Sequence, residues 1–506
     1  MAIKGKNEMK YVIGIDLGTS SVKALLVSNQ GEICGEAVRH YPLSHPQAGY
    51  SEQNPEDWVT GTIEAVNELV TNSKIDANLV DGISFSGQMH GLVLIDEEGT
   101  PLRPAILWND TRTTKQCEEI TEALGSDLLN ITKNKALEGF TLPKILWVQK
   151  HEPEIFAKAT HFLLPKDYLR FRLTGKIDME YSDAAGTLLL DVINHKWSES
   201  ICEKFSIKSS ICPPLIQSHE LSGTLKPEMA NEMALTTEVK VFGGGADNAC
   251  GALGAGIINE DVAMCSIGTS GVFLAYEEDK TQDFKGALHF FNHGKPDSYY
   301  LMGVTLAAGY SLSWFKDTFA KEKSFGELLE GITNVSEGSN GLLFTPYIVG
   351  ERTPYADALI RGSFIGMDST HTMDHFARAV LEGITFSLKD SLELMRSVGK
   401  KEINKIVSIG GGAKNETWLQ MQADIFNATV IKLTSEQGPA LGAAIIAAMG
   451  CEWFESFEAC KDALIQYEKE FTPIPANVAR YQEVYEVYTD IYEQTKDMNR
   501  RLHHLR

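Results

Sequence analysis

Ile13-Gly14-Ile15-Asp16-Leu17-Gly18-Thr19-Ser20-Ser21-Val22-Lys23-Ala24-Leu25-Leu26-Val27 decides how this chain is read. Two apolar runs flank a Gly/Thr/Ser cluster carrying one Asp and one Lys, the pattern of two buried strands joined by a tight loop. A glycine in such a loop lets backbone N–H groups and hydroxyls close on an anion. A lone carboxylate leaving a buried strand is costly unless it meets a cation or a metal. The stretch therefore fits a phosphate–metal site as well as an ordinary hairpin turn, and the short motif alone leaves both readings open.

A second copy favours the phosphate reading. Cys265-Ser266-Ile267-Gly268-Thr269-Ser270-Gly271-Val272 repeats Ile15 to Val22, so that Gly18 of the first copy becomes Gly268 of the second. Two such hairpins half a chain apart imply two domains of related fold, and 506 residues exceed the size at which a single core stops growing. Asp16 becomes Ser266 in the second copy, so only the first offers a carboxylate to a metal, while both keep Gly-Thr-Ser for phosphate oxygens. Facing hairpins with a nucleotide between them are the arrangement of the actin-like ATPase (ribonuclease H-like) α/β fold, which this repeat resembles.

The charge balance narrows the partners. With 68 acidic against 46 basic residues and a net charge of −22, the chain repels nucleic acid and anionic membrane, which leaves a small molecule as the expected ligand. Its 43% hydrophobic and 23% charged residues are those of a globular protein. Eight cysteines without a C-x-x-C pair read as reduced thiols in a cytoplasmic protein. Met1 to Lys10 lacks the apolar core of a secretory signal, and Met1 to Glu8 reads as an extension ahead of a natural start near Met9. The most continuous apolar run, Leu441 to Met449, is too short to cross a bilayer.

Along the chain, Ile33 to Tyr41 reads as the third strand of a meander. Asn54-Pro55-Glu56-Asp57 reads as the cap and first turn of a helix over Trp58 to Val70. A strand at Val80 to Phe85 ends in Ser86-Gly87-Gln88-Met89-His90-Gly91. Ligands of open α/β sheets gather at such strand ends, although a lone His serves equally as a satisfied structural residue. Trp108 to Arg112 is similar in kind, with Asp110 and Arg112 read as an internal ion pair. Phe162 to Thr174 reads as helical, and Tyr181 to Thr187 as a polar turn before a strand at Leu188 to Val192. In Val239 to Gly254 a strand runs into three glycines and then Asp247-Asn248. Asp247 there is either a helix cap or a general base within reach of a substrate hydroxyl.

Further on, Ala307-Ala308-Gly309 is a loop before a helix, and Gly350 to Tyr355 is a loop whose Arg352 is either structural or directed at a ligand. Ile406 to Asn415 runs a strand into Gly410-Gly411-Gly412, which suits backbone lying close to a flat base or to phosphates. Glu436 to Ala444 opens a small-residue helix able to pack tightly, and Tyr481, Tyr485, Tyr488 and Tyr492 recur at helical spacing as a packed stripe.

Two longer signatures carry a family resemblance that covers nearly the whole chain. Gly139-Phe140-Thr141-Leu142-Pro143-Lys144-Ile145-Leu146-Trp147-Val148-Gln149-Lys150-His151 is one. The other runs from Gly362-Ser363-Phe364-Ile365-Gly366-Met367 through His375-Phe376-Ala377-Arg378-Ala379-Val380-Leu381-Glu382. With the repeated hairpin, they resemble the FGGY carbohydrate kinase family. The resemblance implies two actin-like domains, 1–254 and 255–506, with a nucleotide/sugar cleft between them. It implies that Met89, His90, Asp247 and Asn248 line the sugar pocket, that Asp247 is the base, and that Asp16 holds the metal site. Thr19, Thr269, Gly309, Gly411, Gly412 and Asn415 would surround the nucleotide, and Lys23, where glycerol kinases place an Arg, would lie near the phosphates.

Within the family the loop after Ser86 guides the choice of substrate. Glycerol kinases resemble one another in an Arg-Glu pair there, whereas Gly87-Gln88-Met89-His90-Gly91, Trp108 to Arg112 and Ala246-Asp247-Asn248-Ala249 resemble kinases of ketopentoses. The activity so implied is phosphorylation of a ketopentose, D-xylulose foremost, at its terminal hydroxyl with ATP and Mg²⁺. L-ribulose, gluconate or glycerol is the alternative acceptor, and an actin-like ATPase without sugar kinase activity is the alternative class. A homodimer stays open.

Overall fold

In a computed structural model, the structure describes residues 9–505; the extension expected over Met1 to Glu8 lies outside them. The opening stretch forms β1 (Tyr11–Leu17) and β2 (Ser21–Ser28), paired antiparallel with Asp16 opposite Lys23, and β3 (Ile33–His40) continues the meander. Helix α1 (Pro55–Ser73) lies on β2 and β3, burying Trp58, Ala65, Val66 and Leu69. Its cap and first turn are the expected ones, the Asn54 side chain accepting from the Glu56 amide with Pro55 in the first turn, and it runs to Ser73, beyond the expected Val70. β4 (Val80–Gly87) then pairs parallel with β1.

Next come α2 (Thr141–His151), α3 (Pro165–Thr174), β5 (Leu221–Thr224), β6 (Lys240–Phe242), β7 (Gly245–Ala246) and α4 (Asp247–Gly254). The first sheet runs β5-β6-β4-β1-β2-β3, with β7 also beside β4. The aromatic run at Phe162 is not helical: His161–Leu163 is a short strand, and the helix begins only at Pro165, whose fixed φ suits a first turn. The polar turn expected at Tyr181 to Thr187 is a short helix, Tyr181–Ala184, followed by a 3₁₀ turn. The Glu180 carboxylate caps it by accepting from the Ser182 and Asp183 amides. The strand after it shrinks to Leu190–Asp191.

The second half repeats the plan. β8 (Ala263–Ile267) and β9 (Gly271–Glu277) form the second hairpin, followed by β10 (His289–Asn292), β11 (Tyr299–Thr305), α5 (Gly309–Phe319) and α6 (Met373–Ser397). β12 (Lys405–Gly410), α7 (Glu416–Phe426), β13 (Thr429–Leu433), α8 (Pro439–Gly450), β14 (Tyr467–Phe471) and α9 (Pro475–His503) complete it. The sheet order is β10-β11-β9-β8-β12-β13-β14. In both sheets two antiparallel partners stand on one side of the first strand and a parallel one on the other, the duplicated α/β plan of the actin-like ATPase fold. The tyrosine stripe of α9 is buried: Tyr481 donates to Glu382 and Tyr485 to Asp390, both on α6, at 2.8 and 2.6 Å. Among the described residues no helix is long and apolar enough to cross a membrane.

Helix α8 crosses from the second half to lie on β1, β4 and α4. Small residues make this approach possible. A Cβ on Gly14 would stand 2.0 Å from the Ala440 carbonyl oxygen, and one on Gly442 would stand 1.9 Å from that of Cys250. Both obstacles are backbone, so neither yields to a rotamer change. Gly14→Ala is expected to lower stability by about 1–3 kcal/mol, the usual cost of overpacking. Urea or thermal melts measure it, and an unchanged midpoint would show that α8 is not seated on β1.

Candidate active site

The sheet brings the two expected carboxylates together. β1 and β7 both pair with β4, and Ser86 of β4 faces Asp16 on one side and Gly245 on the other, so Asp16 and Asp247 leave neighbouring strand ends. Burial raises the Asp16 carboxyl, opposed by the Ser86 hydroxyl and the Lys23 charge. Burial and the charge of Asp16 push Asp247 up to about 7, against a pull from the Asn248 amide. Asp247 is the first residue of α4, and Ala246 holds the cap position. The Asn248 amide and side chain donate to Asp247 Oδ1 at 2.6 and 3.0 Å, leaving Oδ2 for another donor.

Asp247 opens into a cavity of 290 Å³ that brings four expected residues together, Met89, His90, Asp247 and Asn248. Trp108, Phe140, Ser270, His289, Phe291 and Arg352 are among the other residues of its wall. His90, at φ 68°, donates from Nδ1 to the Gly186 carbonyl at 2.7 Å and tilts against Phe140. Burial, helped by the charge of Lys144, lowers it to about 3, so the ring is neutral and Nε2 keeps its lone pair as an acceptor. The backbone around it is held by Lys144, whose Nζ donates to the carbonyls of Phe140, Glu138 and His90 at 2.9, 3.3 and 3.4 Å, and also to Gly139. Burial pulls Lys144 down to about 7.

His289 and Phe291 escaped the sequence reading. They occupy alternate positions of β10 and so share a face, but no glycine loop marks that strand. The expected ion pair is present: Arg112 binds Asp110 at 2.7 Å and Glu52 at 2.7 Å.

A second cavity, of 510 Å³, gathers Thr269, Gly309, Gly411 and Asn415. Leu312, Phe325, Leu329 and Trp418 give it an apolar wall suited to a flat heteroaromatic base, with hairpin and glycine-loop backbone at its edge. The α5 terminus is tied to the hairpin: Gly309 donates to the Gly268 carbonyl at 2.8 Å and Tyr310 to that of Thr269 at 3.0 Å. Consecutive residues of the hairpin tip serve the two cavities, Thr269 lining one and Ser270 the other.

Asp16, Thr19, Lys23 and Gly412 line neither cavity. Thr19 accepts from the Trp108 indole at 2.9 Å and so borders the first. Lys23 pairs with Glu36 at 2.9 Å and donates to Gln437, just ahead of α8, at 2.5 Å. Gly412 is packed under β8, where a Cβ would stand 2.6 Å from the Ile267 side chain. A larger cleft of 1010 Å³, around Gly256, Glu277 and Lys401, contains none of the expected residues.

The strand that delivers Asp247 rests on buried charge. Lys166 pairs with Asp183, Asp167 and Glu180 at 2.7, 2.9 and 3.2 Å, and the Ser182 hydroxyl, bound to Glu180, accepts from the Ala246 amide at 2.9 Å. Burial alone would lower the Lys166 ammonium, but these three carboxylates raise it.

The family model for the N-terminal domain of the FGGY family of carbohydrate kinases matches residues 11–254, and the model for the C-terminal domain matches 263–451. A xylulose kinase of Bacillus subtilis is 61% identical over 97% of this chain and 98% of its own length. One of Lactococcus lactis is 54% identical over 98% and 99%. Among solved structures, a "xyloylose kinase" from Brucella ovis superposes with a TM-score of 0.91 at 35% identity, over 97% of this chain and all of the other.

Removing one member of the buried cluster strands the rest. Lys166→Met is expected to lower stability by about 3–5 kcal/mol, measured by denaturant titration. A loss below about 1 kcal/mol would show that the carboxylates do not depend on Lys166.

Proposed function

The chain belongs to the FGGY family of carbohydrate kinases, and from that premise we propose that it transfers the γ-phosphoryl group of ATP to the terminal hydroxyl of D-xylulose, giving D-xylulose 5-phosphate. One observation carries the reading: consecutive residues at one hairpin tip, Thr269 and Ser270, border the apolar cavity and the cavity that holds Asp247. A phosphoryl group passed along that tip leaves the nucleotide side and arrives at a hydroxyl beside the carboxylate.

Such transfer asks little covalent chemistry of a protein; positioning and charge stabilisation do most of the work. Asp247 Oδ2 accepts the hydroxyl proton as the new oxygen–phosphorus bond forms and the bond to ADP breaks. Its raised pKa suits this task, because a base near neutrality is still substantially ionised at working pH and binds a proton well. His90 Nε2 accepts from a sugar hydroxyl, and Asn248 keeps Asp247 oriented.

Asp16 is the residue that would hold Mg²⁺, which neutralises charge on phosphate oxygens when bound. A single carboxylate fits an ion that keeps several waters and is bound with substrate phosphates. In the same reading Thr19, Thr269, Gly309, Gly411 and Asn415 surround the nucleotide, and Lys23 supplies positive charge near the phosphates. The boundary between a sugar-side domain, 1–254, and a nucleotide-side domain, 255–506, is likewise proposed; each segment contains one of the two large sheets. A reaction fed by ATP places the protein in the cytoplasm.

Three measurements check this. In an ADP-coupled assay across sugars, D-xylulose is expected to be turned over best; stronger turnover of L-ribulose, gluconate or glycerol would replace it, and ATP hydrolysis indifferent to every sugar would favour a plain ATPase. Asp247→Asn is expected to cost about 10²–10⁴-fold in kcat while nucleotide binding persists. In the wild type, kcat/KM is expected to fall as pH drops through about 7, because protonation removes the base. A flat profile across that range would remove Asp247 from the role.

A further inference from the structure

Arg352 is the one lysine or arginine on the wall of the sugar cavity, and among the described residues no carboxylate lies within ion-pairing distance of its guanidinium. The other arginines set into the fold are committed: Arg103 to Glu52 and Glu152, Arg112 to Asp110 and Glu52, Arg170 to Asp167 and Asp178, Arg378 to Glu337 and Glu382. A guanidinium partly stripped of water and given no partner contributes little to folding, so its fixed position calls for another account.

The position is fixed from beneath. The buried Glu351 carboxylate accepts from the Arg352 and Leu306 amides at 2.8 and 3.1 Å and from the Ser387 hydroxyl at 2.9 Å. Thr353 donates to the Val304 carbonyl at 3.0 Å, and the Val304 amide donates to Thr353 Oγ1 at 3.0 Å. Val304 is itself part of the cavity wall. The Arg352 backbone is therefore bolted to β11 and α6, while its side chain stands open in the cleft.

Its field falls on one end of the cavity. Arg352 lines this wall together with His90 and His289, and its charge bears on both rings. Asp247, on the same wall, takes the terminal hydroxyl in the proposed reaction, so the oxygens left for the guanidinium are those of the rest of the sugar.

We propose that Arg352 binds the carbonyl end of the ketose, donating to the C1 and C2 oxygens while the C5 hydroxyl lies at Asp247. The assignment rests on D-xylulose being the substrate. Two oxygens on adjacent carbons match the two-pronged donor geometry of a guanidinium, which an ammonium does not reproduce. The cavity then offers the carbonyl end of the sugar both an acceptor, at His90 Nε2, and a donor fork, at Arg352. Because Arg352 comes from the second half and Met89, His90, Asp247 and Asn248 from the first, the sugar itself links the two.

Steady-state kinetics with D-xylulose and with 1-deoxy-D-xylulose, which lacks the C1 hydroxyl, test this in the wild type, Arg352→Gln and Arg352→Lys, with thermal midpoints alongside. Arg352→Gln is expected to raise KM for D-xylulose by about 10- to 100-fold, the range of hydrogen bonds to a charged group, and to leave KM for ATP unchanged. The wild-type preference for D-xylulose over the deoxy sugar contracts in this variant. Arg352→Lys lies between the two, and it carries the test if the Gln variant melts early. An unmoved KM in a folded variant overturns the role. So does an equal fall in kcat on both sugars with a raised KM for ATP, which would mark a phosphoryl contact. A wild type inactive on D-xylulose and active on another sugar overturns the substrate reading itself, and the proposal with it.

Discussion

Two carboxylates at neighbouring strand ends set the terms for the rest of this structure. Asp16 and Asp247 stand on either side of β4, both partly withdrawn from water; burial raises both carboxyls, and the charge of Asp16 raises Asp247 further. In the proposed reading this division suits their roles: Asp16 would face a cation, and Asp247, pushed up to about 7, would take a proton near neutrality. The buried cluster around Lys166 does not neutralise this pair. It holds the backbone that carries Asp247, through the Ser182 hydroxyl and the Ala246 amide. Charge within the protein is thus spent on geometry, and charge at the cleft is kept for reactants.

Much of this was legible in the residue string for a simple reason. Strands covered on both faces must be apolar throughout, so β1, β2, β4, β8 and β12 announce themselves as continuous runs that end in glycine-bearing loops. Met89, His90, Asp247 and Thr269 each sit within a few residues of such an end, and the structure brings them to the two cavities. His289 and Phe291 were not legible, because a mid-strand side chain shows its facing only once its partner strands are known. Phe162 misled because an aromatic run into Pro165 reads alike as helix or as strand followed by helix. Glu180 turned an apparent polar loop into a capped turn of helix, and a cap depends on where a side chain points.

The two hairpins also differ in a way that aligned letters hide. Leu17 pairs with Val22, whereas Ile267 pairs with Gly271, so the second loop is one residue tighter. The cause is the bond that closes each turn: Gly18 donates to the Ser21 carbonyl, and Gly268 donates to that of Ser270. Similar sequences therefore present their Thr and Ser differently, and only the second hairpin puts consecutive residues into both cavities. The equivalence suggested by the repeat holds for ancestry of fold and not for the detail of what each tip touches.

The seating of α8 on β1 bears on how the molecule comes into being. β1 ends at Leu17 and the helix that covers one of its faces starts at Pro439, so all the chain between them is made before the strand gains its cover. Until then the first sheet has an apolar face with nothing on it, which is the kind of surface that attracts chaperones or misassociates. Contacts of such long sequence separation also slow the search for the native state. Nascent chains consequently reach a covered first sheet only after Pro439–Gly450 has been made, and the two halves mature together.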